Sequence, residues 1–392
     1  MTLADRWLLP EGVDEALPEQ AAKIEHLRRT LLNLHESWGY QLVIPPLLEY
    51  LDSLLTGAGS DLEIETFKVI DQLSGRLLGI RADFTSQVAR IDAHCLKNNA
   101  VERLSYCGSV LRTTPAGLDG TRSPIQLGAE IYGHGGVESD IEVLSLMLQT
   151  LSAAGLTDLV LDLGHVDVVS GVLAACGLDA TQESKLLALY KAKDLPELDR
   201  YVESLDTMRA EQKQWLIGLP RLCGGKEVLD QAHSLLGNVN ESIRDAIALL
   251  KSVSDCISSR FPMVGWHFDL SDLVSYSYHT GVIFAAYVPG HGNAIARGGR
   301  YNNIGQVFGR SRPATGFSTD VKALVALADV VVTPPKTVLS PICSNAALWQ
   351  KVNSLRNEGY RVVEVLDDFY AEDADFKLDF VDGSWQLMPV QS

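Results

Sequence analysis

Two neighbouring stretches of the sequence decide the fold. Residues 103–112 read RLSYCGSVLR and residues 126–133 read QLGAEIYG, and the loop between them contains proline and glycine. Both stretches have the length and composition of strands, and a loop of this kind lets the chain reverse its direction. We therefore predict two antiparallel strands, with Arg112 at the end of the first strand.

The second strand separates polar from apolar side chains. Side chains alternate between the two faces of a strand, so Gln126, Gly128 and Glu130 share one face. The residues that point the other way are apolar and suited to a core: Leu127, Ala129 and Ile131. Because the glycine leaves space between an amide and a carboxylate, we expect the polar face to form the floor of a pocket.

The composition is that of a globular protein with one large and one small domain. The chain has 392 residues, of which 46% are hydrophobic and 21% charged, within the ordinary globular range. This length exceeds one small core, and two consecutive prolines follow residue 333. We therefore expect a core domain over residues 1–330 and a small C-terminal α/β domain over residues 331–392.

Charge and cysteine usage exclude several classes of protein. The net charge of −17 repels nucleic acid, and no basic patch offsets it. No uncharged run reaches the length of a membrane span, and the first residues do not resemble a signal peptide. The six cysteines are scattered, without a CxxC pair, which is typical of reduced thiols. We expect a cytoplasmic protein that does not bind a membrane.

The order of the predicted elements indicates an α+β fold. Helical spacing begins at Pro18, strand patterns follow, and residues 170–261 form a predicted helical insertion. Strand signals return at residues 266–268 and 282–288, and Asp382–Gly383 predicts a hairpin turn. Regular alternation of strands and helices is missing, so we predict an antiparallel sheet flanked by helices.

The common catalytic motifs do not occur in the sequence. There is no phosphate-binding GxxxxGK[ST] loop, no HExxH and no GxSxG. Paired cysteine and histidine spacings are also missing. We therefore expect neither a metal nor a cofactor.

Five ordered blocks resemble the catalytic core of class II histidyl-tRNA synthetases. They resemble still more the paralogue of these enzymes, the regulatory subunit of ATP phosphoribosyltransferase. The blocks are residues 7–13, 38–46, 71–94, 278–281 and 298–301. Residues 38–46 are similar to the first class II motif, and residues 71–94 carry the segment most typical of the regulatory paralogue. Residues 278–281 and 298–301 are similar to strands of a histidine pocket.

The resemblance implies a class II sheet, a dimer formed through the first motif, and a pocket for free histidine. The implied pocket residues are Asp83, Thr85, Arg112, Gln126, Glu130, Tyr278 and Tyr301. Their chemistry fits the three polar groups of histidine, since carboxylates suit an ammonium and an imidazole N–H, and Arg112 suits a carboxylate. Asp83 stands where the synthetases have glutamate, which is one methylene longer.

Each of these residues also has a structural interpretation. Thr85 or Asp83 can cap the helix that follows, Arg112 can pair with Glu130, and Tyr278 can lie in the core. Gly298 and Gly299 can serve a tight turn. Taken together, and in this order along the chain, these residues favour the histidine pocket over the structural interpretations.

The chain departs from the synthetases where adenylation needs charge. Thr114 replaces an acid of the second motif, Ala323 replaces the arginine of the third motif, and Val274 replaces the histidine-specific arginine. Losing groups that stabilise transition-state charge costs about 10²–10³-fold each. The resemblance therefore implies that histidine binding was kept and adenylation was lost.

The resemblance implies a non-catalytic regulatory subunit. It would assemble, as a hetero-octamer, with a short catalytic ATP phosphoribosyltransferase subunit and bind histidine as feedback inhibitor, without tRNA. Two alternatives stay open: a divergent histidyl-tRNA synthetase, and a histidine sensor for another partner.

Overall fold

The computed structural model describes residues 7–56, 60–115, 120–272, 279–342, 345–366 and 374–390. The chain divides into two compact units, Met1–Val330 and Val331–Ser392. The strands are β1 (Gln41–Leu42), β2 (Leu48–Tyr50), β3 (Phe67–Ile70), β4 (Leu77–Ile80), β5 (Glu102–Ser109), β6 (Ile125–Tyr132), β7 (Val160–His165), β8 (Cys223–Gly224), β9 (Gly265–Asp269), β10 (Val282–Tyr287), β11 (Ala296–Arg300), β12 (Ala314–Asp320), β13 (Thr337–Ser340), β14 (Arg361–Glu364), β15 (Phe376–Val381) and β16 (Ser384–Pro389).

The α-helices of both units follow the apolar periodicity of the sequence. They are α1 (Pro18–Ser37), α2 (Leu51–Leu54), α3 (Ser60–Glu65), α4 (Thr85–Arg90), α5 (Val137–Ala153), α6 (Val166–Cys176), α7 (Ala180–Ala192), α8 (Leu195–Glu203), α9 (Ala210–Gly218), α10 (Glu227–Leu236), α11 (Glu241–Arg260), α12 (Val321–Leu327) and α13 (Ala346–Asn357). In α1 the proline occupies the first turn, where no intrahelical N–H is needed, and Ile24, Leu27 and Leu31 are buried.

The first unit is built on a nine-stranded sheet in the order β1-β5-β6-β12-β11-β10-β7-β9-β8. The pair β5–β6, near one edge of the sheet, is antiparallel, as the sequence predicted. The expected antiparallel sheet is nevertheless mixed, since β1 pairs with β5 and β7 with β9 in parallel. Parallel partners need long connections, and here these connections contain the hairpin of residues 67–80 and the helices between β7 and β9.

One face of this sheet packs on helices. Leu127, Ala129 and Ile131 are buried there in one apolar cluster with residues of α1, α5 and α12. The helices of residues 166–260 belong to the same cluster, so the predicted helical insertion packs on the same core as the sheet. Between α7 and α8 the helical pattern breaks, and Pro196 lies in the first turn of α8, where proline is tolerated.

A second, smaller sheet is formed by the strands between residues 48 and 80. Its order is β2-β4-β3, and β3 and β4 form the predicted hairpin. Gly75 has a φ of 69° in the turn, a conformation that glycine adopts without steric cost. The chain leaves β4 at Arg81 and enters α4 at Thr85, which places residues 81–85 beside β6.

The second unit is a small α/β sheet. Its order is β14-β13-β15-β16, with α13 packed on it. The hairpin between β15 and β16 turns at Asp382 and Gly383, which have φ values of 48° and 79°. Two consecutive positive φ values are those of a type I′ turn, the turn that the Asp-Gly pair predicts.

Candidate functional site

Glu130 lies at the centre of the polar face of the large sheet. It belongs to β6, where its neighbours across the sheet are Leu104 of β5 and Gly316 of β12. The residue is only 2% exposed. The predicted polar face therefore exists, but its carboxylate is enclosed by protein.

Two tyrosine hydroxyls hold the Glu130 carboxylate. Tyr106 Oη donates a hydrogen bond of 3.0 Å to Oε1, and the hydroxyl of Tyr301 donates to Oε2. Burial raises the pKa of Glu130 well above its usual range, and hydrogen bonds from Tyr106 and Thr85 partly offset this effect, whereas the charge of Asp83 adds to it. A ligand that brings an N–H donor or a positive charge would stabilise the ionised form.

Glycines on adjacent strands make this enclosure sterically possible. A Cβ at Gly316 would overlap Glu130 Oε2, and a Cβ at Gly128 would overlap the Tyr106 hydroxyl. The row that runs across the sheet from Glu130 continues with Gly299 of β11. Gly298 and Gly299 therefore lie within a strand, and the alternative interpretation of these two residues as a tight turn is wrong.

Asp83 and Gln126 form a second polar pair on the same side of the sheet. Gln126 Nε2 donates to Asp83 Oδ2 at 2.6 Å, and Gln126 Oε1 accepts from the Phe84 backbone N–H at 3.2 Å. The other oxygen of Asp83 accepts from the Thr85 N–H at 2.7 Å. Asp83 thus accepts from the N–H of Thr85, the first residue of α4, from one position before the N-cap residue Phe84.

A layer of stacked side chains lies over this pair. The rings of Phe84 and Tyr106 stack with their centroids 4.6 Å apart, and the Arg81 guanidinium lies 3.8 Å from the Phe84 ring centroid. Stacking of this kind fixes the orientation of Tyr106 and, through its hydroxyl, that of Glu130.

Arg112 lies at the rim of the polar group formed by Asp83, Gln126 and Glu130. Its Nε donates to the Ala82 carbonyl at 3.3 Å and lies 3.8 Å from Glu65 Oε2. The side chain is partly exposed. Glu130, in contrast, is held by tyrosines, so the alternative interpretation of a structural pair between Arg112 and Glu130 is wrong.

The structure brings together six of the seven predicted site residues. Asp83, Thr85, Gln126, Glu130 and Tyr301 adjoin one another on the polar face, and Arg112 joins them through the carbonyl next to Asp83. The seventh predicted residue, Tyr278, lies outside the described residues.

Sequence analysis missed Tyr106. The signal was present, because alternation places Tyr106 on the same strand face as Leu104 and Val110, and a buried tyrosine hydroxyl needs a partner. The register that places Tyr106 opposite Gly128 is visible only in the structure.

Arg300, next to Tyr301, plays a structural part: its Nη2 forms a buried ion pair of 2.9 Å with Asp140 Oδ2.

The group has the chemistry to bind a small polar molecule that carries both N–H donors and a carboxylate. It combines two carboxylates, an amide, hydroxyls and one guanidinium at the rim.

Among the described residues, no cluster of histidine, cysteine and acidic side chains has the geometry to hold a metal ion. No helix in the described part of the chain is long and apolar enough to cross a membrane.

Comparison with known proteins adds the family. Residues 12–324 match the sequence pattern described as histidyl-tRNA synthetase. Residues 335–388 match the pattern described as the ATP phosphoribosyltransferase subunit HisZ C-terminal domain.

Among curated proteins, the ATP phosphoribosyltransferase regulatory subunit of a Marinomonas strain is 86% identical over 392 residues, with 100% of both chains covered. The protein of the same name from Thioalkalivibrio sulfidiphilus is 49% identical over 367 residues, which cover 93% of each chain.

Two solved structures share the architecture. An ATP phosphoribosyltransferase regulatory subunit/histidyl-tRNA synthetase from Bacillus halodurans is 27% identical, with a TM-score of 0.80 over 92% of this chain and 94% of that chain. A histidyl-tRNA synthetase from a Nostoc species has a TM-score of 0.76 at 19% identity, over 95% of this chain and 91% of that chain. The second likeness shows the fold alone.

The fold and the matched core define the class, a histidyl-tRNA synthetase-like protein with the class II sheet. The C-terminal match and the identity over the full length are more specific. The chain belongs to the family of ATP phosphoribosyltransferase regulatory subunits.

Proposed function

We propose that the chain is the non-catalytic regulatory subunit of an ATP phosphoribosyltransferase. In this role it activates a separate short catalytic subunit and transmits feedback inhibition by histidine in the first step of histidine biosynthesis. The observation that carries the proposal is the polar face around Glu130, in a chain that the resemblance describes as lacking the charges that adenylation needs. Ala323, which the resemblance places at the arginine of the third motif, lies in α12.

The geometry suits histidine as the ligand. The Glu130 carboxylate accepts from an imidazole N–H, and Asp83 accepts from the ammonium group. Gln126 uses one N–H for Asp83 and keeps a second N–H, which can donate to the ligand carboxylate together with Arg112. The two carboxylates repel one another without a ligand, since Asp83 raises the pKa of Glu130. A ligand with positive charge between them relieves that repulsion.

The first class II motif supports a homodimer. Several large apolar residues in and after this motif are exposed, and Ile44 is 81% exposed. The exposed residues are Leu42, Ile44, Leu47, Leu48 and Tyr50. Contiguous apolar surface of this kind is typical of interaction sites. We propose that this surface forms the dimer and that dimers combine with the catalytic subunit into a hetero-octamer in the cytoplasm, without tRNA.

The decisive experiment mixes this chain with the short catalytic subunit and follows turnover with and without histidine. We expect turnover to rise on addition of the chain and to fall on addition of histidine. Activation that persists at saturating histidine contradicts the feedback part of the proposal. Histidine-dependent ATP–pyrophosphate exchange by the pure chain identifies a divergent synthetase instead. Histidine binding without any effect on the catalytic subunit identifies a sensor for another partner.

Calorimetry tests the pocket itself. Replacing Arg112 by Ala or Glu130 by Gln removes a charged hydrogen-bond partner worth about 1.5–3 kcal/mol, so the affinity for histidine should fall about tenfold or more. The control is Glu211→Gln, because Glu211 is exposed on α9. Unchanged affinity in both site variants removes this pocket from consideration.

A further inference from the structure

The far edge of the large sheet carries a second group of reactive side chains: Cys223 of β8, His267 of β9 and Asp162 of β7. Cys223 Sγ lies 3.3 Å from His267 Nε2, and His267 Nδ1 lies 3.0 Å from Asp162 Oδ1. Three separate strands thus bring together a thiol, an imidazole and a carboxylate. A nucleophile within hydrogen-bond distance of a base that a third group orients is the arrangement that activates cysteine and serine nucleophiles.

The carboxylate fixes the tautomer of the imidazole. An ionised carboxylate only accepts hydrogen bonds, so His267 Nδ1 carries the proton that it donates to Asp162. In the neutral imidazole the other ring nitrogen, Nε2, then carries no proton and accepts the hydrogen bond from the Cys223 thiol. The imidazole is therefore held in the form that can act as a base toward Sγ.

The group lies at the surface, beside a cleft. Cys223 is exposed, and Asp162 also lines a small cleft next to the group. Other charged or titratable groups face the array from the neighbouring elements: Lys193 after α7, Asp269 of β9, Asp272 of the following turn, Tyr287 of β10 and Arg297 of β11. The Lys193 ammonium is bound to Asp269 Oδ2 at 2.5 Å and to the Ser271 hydroxyl at 2.8 Å.

We propose that Cys223 is a site of covalent thiol modification that takes low-molecular-weight disulfides, with His267 as base and Asp162 as the residue that positions it. The thiol proton passes to His267 Nε2 as Sγ attacks one sulfur of the disulfide. A new S–S bond forms on Cys223 and the original S–S bond breaks. The Cys223 sulfur is oxidised, the leaving sulfur is reduced, and the leaving thiolate takes the proton back from Nε2.

The surroundings explain why the thiol needs a base. Burial raises the pKa of Cys223, the carboxylate of Asp269 raises it further, Lys193 lowers it, and Asp162 raises it. The thiol therefore keeps its proton at neutral pH. A protonated thiol is a poor nucleophile, so its reaction depends on a base at hydrogen-bond distance.

The test treats the full chain with 2,2′-dithiodipyridine and measures the rate at each cysteine by mass spectrometry of its peptides. This probe is an uncharged disulfide, so the negative charge of the chain does not bias its approach. The variant His267→Asn keeps a donor toward Asp162 and removes the acceptor beside Cys223. We expect it to lower the rate at Cys223 about tenfold or more at neutral pH. Asp162→Asn should lower the same rate, because it no longer fixes the tautomer.

Cys95 is the internal control, since it is exposed in the same chain and its rate should not change in either variant. The pH profile separates a base from a merely structural residue. In the unmodified chain the imidazole takes the thiol proton during the attack, so the rate at Cys223 should rise by clearly less than tenfold per pH unit around neutral pH. In His267→Asn it should rise about tenfold per pH unit, as it does for a free thiol. A folded His267→Asn chain whose Cys223 reacts at the original rate with the original pH profile overturns the proposal.

Discussion

Leu127 and Glu130 lie on one strand, β6, and both are almost fully buried, yet they face opposite sides of the sheet. Leu127 is 0% exposed and packs among apolar side chains of the main core. Glu130 is 2% exposed and needs two tyrosine hydroxyls to satisfy its carboxylate. Burial stabilises the first residue by the hydrophobic effect and disfavours the charge of the second.

The two faces of β6 differ in the free energy of burial, which is favourable for the apolar side chains of the core face and unfavourable for the charge on the site face. A buried charge that hydroxyls hold in place is poorly compensated until a ligand supplies opposite charge or an N–H donor. Substitutions on the core face should therefore change folding and leave affinity alone. Those on the site face should change affinity and leave folding largely intact.

The largest effect is expected from Leu127→Ala. It removes apolar volume from the packed core, which costs about 2–5 kcal/mol in the free energy of unfolding. Denaturant unfolding measures this loss, and calorimetry on the folded fraction should give an unchanged affinity for histidine. Leu73→Ala is the matched control, because Leu73 is 98% exposed and surface substitutions stay within about 0.5 kcal/mol. A fall in affinity that accompanies Leu127→Ala would mean that the two faces are not independent.

Gly316→Ala is expected to affect both faces, but the site face more. The new Cβ overlaps Glu130 Oε2, so the carboxylate must leave its place between the tyrosines. Overpacking of this kind costs about 1–3 kcal/mol in stability, and the histidine affinity should fall more than tenfold. Gly292→Ala provides the control, since a Cβ at Gly292 meets no atom within 4 Å. Histidine binding that survives in Gly316→Ala would show that Glu130 need not occupy its observed position.

The sequence predicted the faces of β6 because alternation is a local property of a strand. Local pattern likewise predicts the turn at Asp382–Gly383, and the apolar spacing of residues 346–357 indicates the helix observed there, α13. The parallel pairs β1–β5 and β7–β9 escaped prediction, since their partners are distant in sequence and no local pattern records the pairing. Residues 40–44 read YQLVI, which has strand propensity throughout, yet the strand covers only Gln41–Leu42 because pairing with β5 sets its length.

The candidate site was predictable in its residue types but not in their pairing. Asp83 and Gln126 were both named, but the hydrogen bond that joins them depends on how the chain after β4 packs beside β6. Tyr106 was missed because its partner, Glu130, lies on the neighbouring strand. Glu130 was expected on the floor of an open pocket, and the register instead places it beneath two tyrosines.

The third prediction concerns how the free energy of unfolding depends on pH through a single carboxyl group, that of Glu130. The pKa of Glu130 is raised well above 4.5, chiefly by burial, so the folded chain binds this proton more tightly than the unfolded chain does. The favourable contribution of Glu130 to stability is therefore complete below the unfolded pKa and is lost as pH rises toward the folded pKa.

Glu130→Gln has no such group. We expect the free energy of unfolding of the unmodified chain to fall relative to this variant above pH 4.5, by at most about 1.4 kcal/mol for each pH unit. Urea unfolding at a series of pH values measures the difference. In Glu211→Gln, the exposed control, the curve should run parallel to that of the unmodified chain. Parallel curves for Glu130→Gln as well would mean that the carboxyl group titrates normally.

The smallest effect is expected from Asp83→Glu, which restores the residue of the synthetases. The short carboxylate of Asp83 reaches both the Thr85 N–H and Gln126 Nε2. The added methylene moves the carboxylate away from the first turn of α4, and losing one hydrogen bond of this kind costs about 0.5–1.5 kcal/mol. The charge beside the ligand ammonium remains, so the affinity for histidine should change less than in Glu130→Gln. Calorimetry and denaturant unfolding of the two variants, side by side, measure both quantities. Tighter histidine binding without loss of stability in Asp83→Glu would show that the aspartate is not fitted to the turn before α4.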